Sequence, residues 1–230
     1  MTAARFAVPE VTRPADLAPL IEHTALKPET TPAAIAQLCD EAIRLGLRGV
    51  CVNPVYVQLA RRRLESAATR PLVVSVVGFP LGASLPASKA AETRAVIDAG
   101  ADEVDMVLAI GRLKAGELDA VEDDIAAVVG AANGKPVKVI LETLLLDEHE
   151  KIAACTLAKL AGAAFVKTST GFGAGGATVE DVALMRRTVG AEVRVKASGG
   201  IRDFASARAL VEAGAHVLGC SASVTIVGGG

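Results

Sequence analysis

A lysine stands in the middle of an otherwise uncharged run, Phe165-Val166-Lys167-Thr168-Ser169-Thr170-Gly171, which reads as a short strand of apolar and β-branched residues. An ammonium among such neighbours is costly to bury. Either the side chain reaches water along its own stem, or its pKa falls until the neutral amine can act as a nucleophile. A second lysine, Lys196, sits in the comparable run Val193 to Ser198, and a carboxylate, Asp105, interrupts Glu103-Val104-Asp105-Met106-Val107. Residues two apart on a strand share a face, so Glu103 and Asp105 point the same way. A buried carboxylate needs a cation, and a structural ion pair is the plainest account of it. Two lysines held close have a further consequence. Repulsion and desolvation together favour loss of a proton from one of them. Moving a lysine from about 10.4 to about 7 takes roughly 4–5 kcal/mol of differential interaction. A neutral lysine attacks an aldehyde or ketone to give an imine, and the protonated imine accepts the electron pair of a carbon–carbon bond that breaks or forms.

Glycines cluster just after these runs. Gly171, Gly173, Gly175 and Gly176 follow Lys167, the pair Gly199-Gly200 follows Lys196, and Ser221 follows the last apolar run. Turns of this kind expose backbone N–H groups in a row and suit a phosphate dianion. Candidate phosphate-binding residues are therefore Gly171, Gly173, Gly199, Gly200 and Ser221. Glu22, Thr24, Cys51, Thr170 and Ser198 fall at strand positions from which a side chain can meet substrate hydroxyls or water.

The elements that must position these residues alternate regularly. Apolar, β-branched runs predict strands near 21–26, 49–53, 72–79, 103–110, 136–142, 165–170, 193–198 and 216–221. Alanine-rich stretches with helical spacing lie near 31–46, 54–66, 84–99, 114–132, 147–161, 178–190 and 203–213. Thr31-Pro32 and Thr178 carry helix-start chemistry, and Gly46, Gly100, Gly162 and Gly214 carry helix-stop chemistry. The phrase Ala-Gly-Ala recurs at 99–101, 161–163 and 213–215, each time leading from helix to strand. The pattern predicts an α/β chain folded as an eight-stranded parallel (β/α)8 barrel, whose ligand site lies at the C-terminal strand ends. An open doubly wound sheet is the alternative, but no GxGxxG follows the first strand. One domain is expected over 20–227, with an N-terminal arm at 1–19 and a glycine tail at 228–230.

A formal charge of −2 gives no electrostatic case for nucleic acid or an anionic membrane as partner. The apolar runs are of strand length and interrupted, so no transmembrane helix is expected, and the N-terminus lacks the apolar core of a secretory signal. Four scattered cysteines and three dispersed histidines form no metal-ligand spacing. A reducing cytoplasm is the expected compartment, with no metal.

The motifs resemble those of the deoxyribose-phosphate aldolase family, class I aldolases on a TIM barrel. They run through nearly the whole chain: Ile21 to Thr24, VVGFPLGA from Val76, AETRAVIDAGADEVDMV from Ala91, KVILET from Lys138, FVKTSTGF from Phe165, GGATVEDV from Gly175 and VKASGGIRD from Val195. The resemblance implies Lys167 as the imine-forming lysine, with Lys196 and Asp105 assisting proton transfer. It also implies reversible cleavage of 2-deoxy-D-ribose 5-phosphate to acetaldehyde and D-glyceraldehyde 3-phosphate, with no metal and no organic cofactor. The expected partners are a phosphorylated sugar and aldehydes, and the expected assembly is a homodimer or homotetramer. The chain departs from the pattern at Val217, where many members carry arginine, and in its glycine ending, where some carry a tyrosine. Another imine-forming sugar-phosphate aldolase or transaldolase-like barrel, or a sugar-phosphate-binding barrel without turnover, is the competing expectation.

Overall fold

The computed structural model describes residues 8–228. Eight parallel strands close in chain order into one barrel: β1 (Ile21–Ala25), β2 (Gly49–Val52), β3 (Leu72–Val77), β4 (Glu103–Val107), β5 (Val137–Ile140), β6 (Phe165–Lys167), β7 (Arg194–Ser198) and β8 (Val217–Cys220). Ile21 pairs with Leu218 and His23 with Cys220, so no open edge remains and the open-sheet alternative falls. The connecting helices are α1 (Pro32–Leu45), α2 (Val57–Leu64), α3 (Pro86–Asp98), α4 (Ile110–Lys114), α5 (Leu118–Ala131), α6 (Glu148–Leu160), α7 (Val179–Val189) and α8 (Phe204–Glu212), with α9 (Ser223–Gly228) after the last strand.

The helix ends follow their local chemistry. Thr31 accepts from the Ala34 N–H at 3.3 Å, and Pro32 opens the first turn of α1. Thr178 accepts from the Asp181 N–H at 3.1 Å to start α7. Two expectations need correction. The helix read over 114–132 starts later, as α5, and a separate short helix, α4, precedes it; the two are parted at Gly116, whose φ of +74° is a left-handed conformation open to glycine at no steric cost. The strand read over 103–110 stops at Val107, because the chain turns at once into α4. Before β1, residues Pro14–Leu20 form a 3₁₀ turn, and Val11 and Leu17 of this lead-in join the core. Residues 1–7 of the expected arm and Gly229-Gly230 of the expected tail lie outside the described residues, while Gly228 ends α9.

Strand residues alternate between two environments. Val50, Val52, Val73, Val77, Val104, Met106, Val137, Val139, Val166 and Val195 join the large core packed beneath the helices. Burying one such side chain contributes about 1.5–3 kcal/mol, which is why this outer layer is almost uniformly aliphatic. The intervening residues point into the barrel, where two environments meet. On β2 and β3 the interior is apolar, with Cys51, Val74 and Val76 packed with Leu26 against Phe79. From β4 round to β7, and again at β1, it is charged, with Glu22, Glu103, Asp105, Lys138, Lys167 and Lys196 all buried.

A second buried pair lies outside the barrel. Lys89 of α3 meets Asp124 of α5 at 2.6 Å and donates to the Val107 carbonyl at 2.9 Å, at the end of β4. Both side chains are buried. Removing one partner leaves an uncompensated charge, so Lys89→Met should lower stability by about 3–5 kcal/mol. The double substitution Lys89→Met with Asp124→Leu should recover most of that loss. Urea unfolding measures both; a single variant within about 1 kcal/mol of the parent would show the pair to be energetically idle.

Candidate active site

Strand register builds the site. Lys167 pairs with Lys196 across β6 and β7, and Asp105 pairs with Lys138 across β4 and β5. All four side chains point inward, and Asp105 lies among the three amines. Its Oδ2 accepts from Lys167 Nζ at 2.8 Å and from Lys196 Nζ at 2.6 Å, while Oδ1 accepts from Lys138 Nζ at 2.9 Å. Lys196 also donates to Glu22. Lys138 lies 2.5 Å from Glu103 and 3.3 Å from Glu22, and Arg48 bridges Glu22 and Glu103.

These contacts set the amines apart. Burial pushes the Lys167 amine below the ordinary lysine range; Asp105 opposes that shift and the charge of Lys196 adds to it. Burial also works against the Lys196 ammonium, but Asp105 and Glu22 outweigh it and hold the group above its usual range. Lys138 is raised in the same way, burial being overcome by Asp105, Glu22 and Glu103. Asp105 loses to burial and gains more from Lys138, Lys167 and Lys196, so its carboxyl is held well below the usual range. The arrangement therefore presents one amine lowered in pKa beside a cation and a carboxylate that support each other's charge.

Lys167 forms part of the wall of a cavity of about 320 Å³ at the C-terminal ends of the strands. Thr24, Thr170, Gly171, Ser198, Gly199, Gly200 and Ser221 line it too. Glu22, Asp105, Lys196, Cys51 and Gly173 are not among its lining residues. Glu22 and Asp105 lie deeper, tied into the ion network. Cys51 is fully buried in the apolar half of the interior, and burial pushes its thiol up to about 11. Gly173 faces the Glu142 carboxylate, where an added Cβ would lie 3.4 Å from Oε1. Thr170 is fixed through its N–H and hydroxyl on Glu142 Oε2, and its hydroxyl oxygen accepts from the Phe172 N–H at 3.0 Å. Phe172, which lines the cavity, in turn meets Phe79 edge-on, centroids 5.1 Å apart.

Sequence reasoning passed over several of these residues. Lys138 interrupts the run Val137-Lys138-Val139-Ile140 as Lys167 interrupts its own, and that same signal would have found it. Arg48 precedes β2 and carries no comparable mark. Lys27 joins the cavity wall from the loop after β1. Gly219 also lines the cavity, and there a Cβ would fall 2.9 Å from Ser198 Cβ and 3.1 Å from Lys196 Cε. Among the described residues no group of histidines, cysteines and carboxylates is arranged to hold a metal ion, and no helix is long and apolar enough to cross a membrane.

A closed parallel barrel with a buried lysine, lowered in pKa, beside a cavity at the strand ends has the features of a barrel aldolase. Residues 19–222 match the model of the DeoC/LacD family aldolase, and the chain belongs to that family. It is 56% identical over 212 residues to "Deoxyribose-phosphate aldolase 2" of Staphylococcus aureus, covering 92% of this chain and 96% of that one. It is 55% identical over 216 residues to the deoxyribose-phosphate aldolase of Thermococcus gammatolerans, covering 93% and 96%. Among solved structures, the tetrameric deoxyribose phosphate aldolase of Aeropyrum pernix superposes with a TM-score of 0.87 at 34% identity, over 94% of this chain and 91% of that one.

The network also predicts acid sensitivity. Burial disfavours ionised Glu103, yet Lys138 and Arg48 bring its pKa down to about 2 from an ordinary 4.5. A depressed carboxylate contributes stability that is fully present above its unfolded pKa and is lost as pH falls toward the folded one. Urea unfolding should therefore show stability falling between pH 4.5 and about 2, on the order of 3 kcal/mol from this group. Glu103→Gln should flatten that part of the profile; an unchanged slope would remove Glu103 from the account.

Proposed function

We propose that this chain is a class I aldolase of the cytoplasm that reversibly cleaves 2-deoxy-D-ribose 5-phosphate to acetaldehyde and D-glyceraldehyde 3-phosphate, without metal or organic cofactor. The observation that carries the reading is Lys167: a buried amine, lowered in pKa, open to a cavity on one side and paired with Asp105 on the other. In this reading the neutral amine attacks the C1 aldehyde of the open-chain sugar and water leaves, giving the imine. Asp105, acting through a water that the Lys196 ammonium holds, takes the proton of the C3 hydroxyl. The C2–C3 bond breaks, its electrons pass into the imine, and an enamine remains on Lys167. The same groups return a proton to C2, and water then releases acetaldehyde. Thr24, Thr170 and Ser198 are placed on the cavity wall to orient hydroxyls or water.

The phosphate is assigned to the N–H groups around Gly171, Gly199 and Gly200 and to the Ser221 hydroxyl, all on the cavity wall. Gly173 is a poorer partner than its sequence position suggests, because the Glu142 carboxylate faces it. Lys27 is the one cation besides Lys167 among the described lining residues, so it stands as the charge that greets an anionic substrate. Val217, at the position of the family's arginine, is buried beside Lys196 and is not among the lining residues. A homodimer or homotetramer is the proposed assembly, supported by the relative described as tetrameric.

Acetaldehyde released from deoxyribose 5-phosphate in the presence of a chelator is the direct test; no release would end the reading. Reduction with borohydride in the presence of acetaldehyde should add one two-carbon unit to the peptide holding Lys167. Label confined to the Lys196 peptide would reverse the roles of the lysines. Lys27→Met should raise KM for the phosphorylated sugar by roughly tenfold and leave free deoxyribose almost unaffected; equal effects on both would place the phosphate elsewhere.

A further inference from the structure

The buried charges inside the barrel do not match in number. Arg48, Lys138, Lys167 and Lys196 face Glu22, Glu103 and Asp105, four cations to three carboxylates. They are also unequally held. Arg48 bridges Glu22 and Glu103, Lys196 bridges Glu22 and Asp105, and Lys138 reaches all three. Lys167 touches Asp105 alone, and shares it with two other lysines. Proton loss from Lys167 brings the set to neutrality, which a low-dielectric interior favours.

Three other titratable groups face the set, a half-buried cation at its edge and two thiols. Arg194 of β7 stacks on the Phe165 ring, 3.8 Å from its centroid, within the field of Glu103. Cys51 of β2 and Cys220 of β8 adjoin Lys196, with thiols raised by burial to about 11 and about 12, so both stay neutral.

We propose that Lys138 is a positioning residue for Lys167: by supplying the cation that Glu103 and Asp105 require, it leaves Lys167 the surplus charge, free to shed its proton. Asp105 Oδ1 is spent on Lys138, so only Oδ2 turns toward the two other amines. Without Lys138, three carboxylates would be matched by Arg48, Lys196 and Lys167. Lys167 would then be required as a cation and would stay protonated to higher pH. The inference rests on the reading of Lys167 as the imine-forming amine.

The test is the pH dependence of imine formation on full-length protein, with acetaldehyde and cyanoborohydride, followed as the added mass on the Lys167 peptide. Lys138→Met should move the acid limb upward by about one pH unit or more, which costs at least about tenfold in trapping rate below the parent's limb and is regained at high pH. Glu103→Gln removes a carboxylate instead and should move the limb downward. The double variant restores the parent's balance, three cations to two carboxylates, and should return the limb to near the parent's position. A purely structural role for Lys138 predicts loss of folded protein without opposed shifts. Should Lys138→Met fail to fold, Glu103→Gln and the double variant carry the comparison. If Lys167 takes label in the parent but the limbs of all the folded variants coincide with it, the inference is overturned and the imine reading stands. If Lys167 takes no label at any pH, the imine reading itself fails.

Discussion

One carboxylate, Asp105, carries three amines, and most of the barrel's interior follows from that arrangement. An isolated ammonium or carboxylate at this depth would shed its charge. Each strand from β4 to β7 therefore contributes one member, and closure of the sheet brings Glu22 of β1 round to Lys196. Buried ion pairs are weak devices for stability, since aliphatic residues of similar volume do as well or better. The outer faces of the same strands are filled with valine. A charged interior beside such an apolar exterior is better explained by a reaction that needs an unprotonated amine than by folding.

The loops after β5 and β6 show the same subordination of local preference to the site. Glu142 adopts a positive φ of 56°, which disfavours a side chain, and its buried carboxylate receives the N–H and hydroxyl of Thr170. Through Thr170 it fixes Phe172, and through Phe172 the contact with Phe79. The loops after β3 and β6, joined through these rings, are thus anchored by a residue that does not itself line the cavity.

Much of this was legible before any coordinates. Alternation of valine-rich runs with alanine-rich stretches, punctuated by glycine, marks all eight strands and the helices α1, α2, α3, α5, α6, α7 and α8. Periodicity is a strong signal where every strand is buried on both faces. It failed between α4 and α5, because alanine and leucine on both sides of Gly116 favour helix and only the backbone conformation at that glycine breaks the run. Lys167, Lys196 and Asp105 stood out as charges inside apolar runs. Lys138 carried the same mark and was passed over, because one carboxylate already had two lysines to account for it. Arg48 was hidden for a physical reason: it lies at the foot of a strand, and only closure of the barrel carries its guanidinium under the floor.

The division of the interior into a charged arc and an apolar one has a bearing on stereochemistry. A trigonal carbon joined to the nitrogen of Lys167 has two faces that are mirror images of each other in free solution. Within this barrel they are not equivalent. Lys167 stands in the charged arc with Asp105 and Lys196, while Leu26, Cys51, Val74 and Val76 belong to the apolar one. For the proposed enamine, a proton arrives from the charged arc, so its two faces differ in their access to that proton. The handedness of any new carbon centre is then inherited from which strands of a nearly symmetric barrel carry valine and which carry charge.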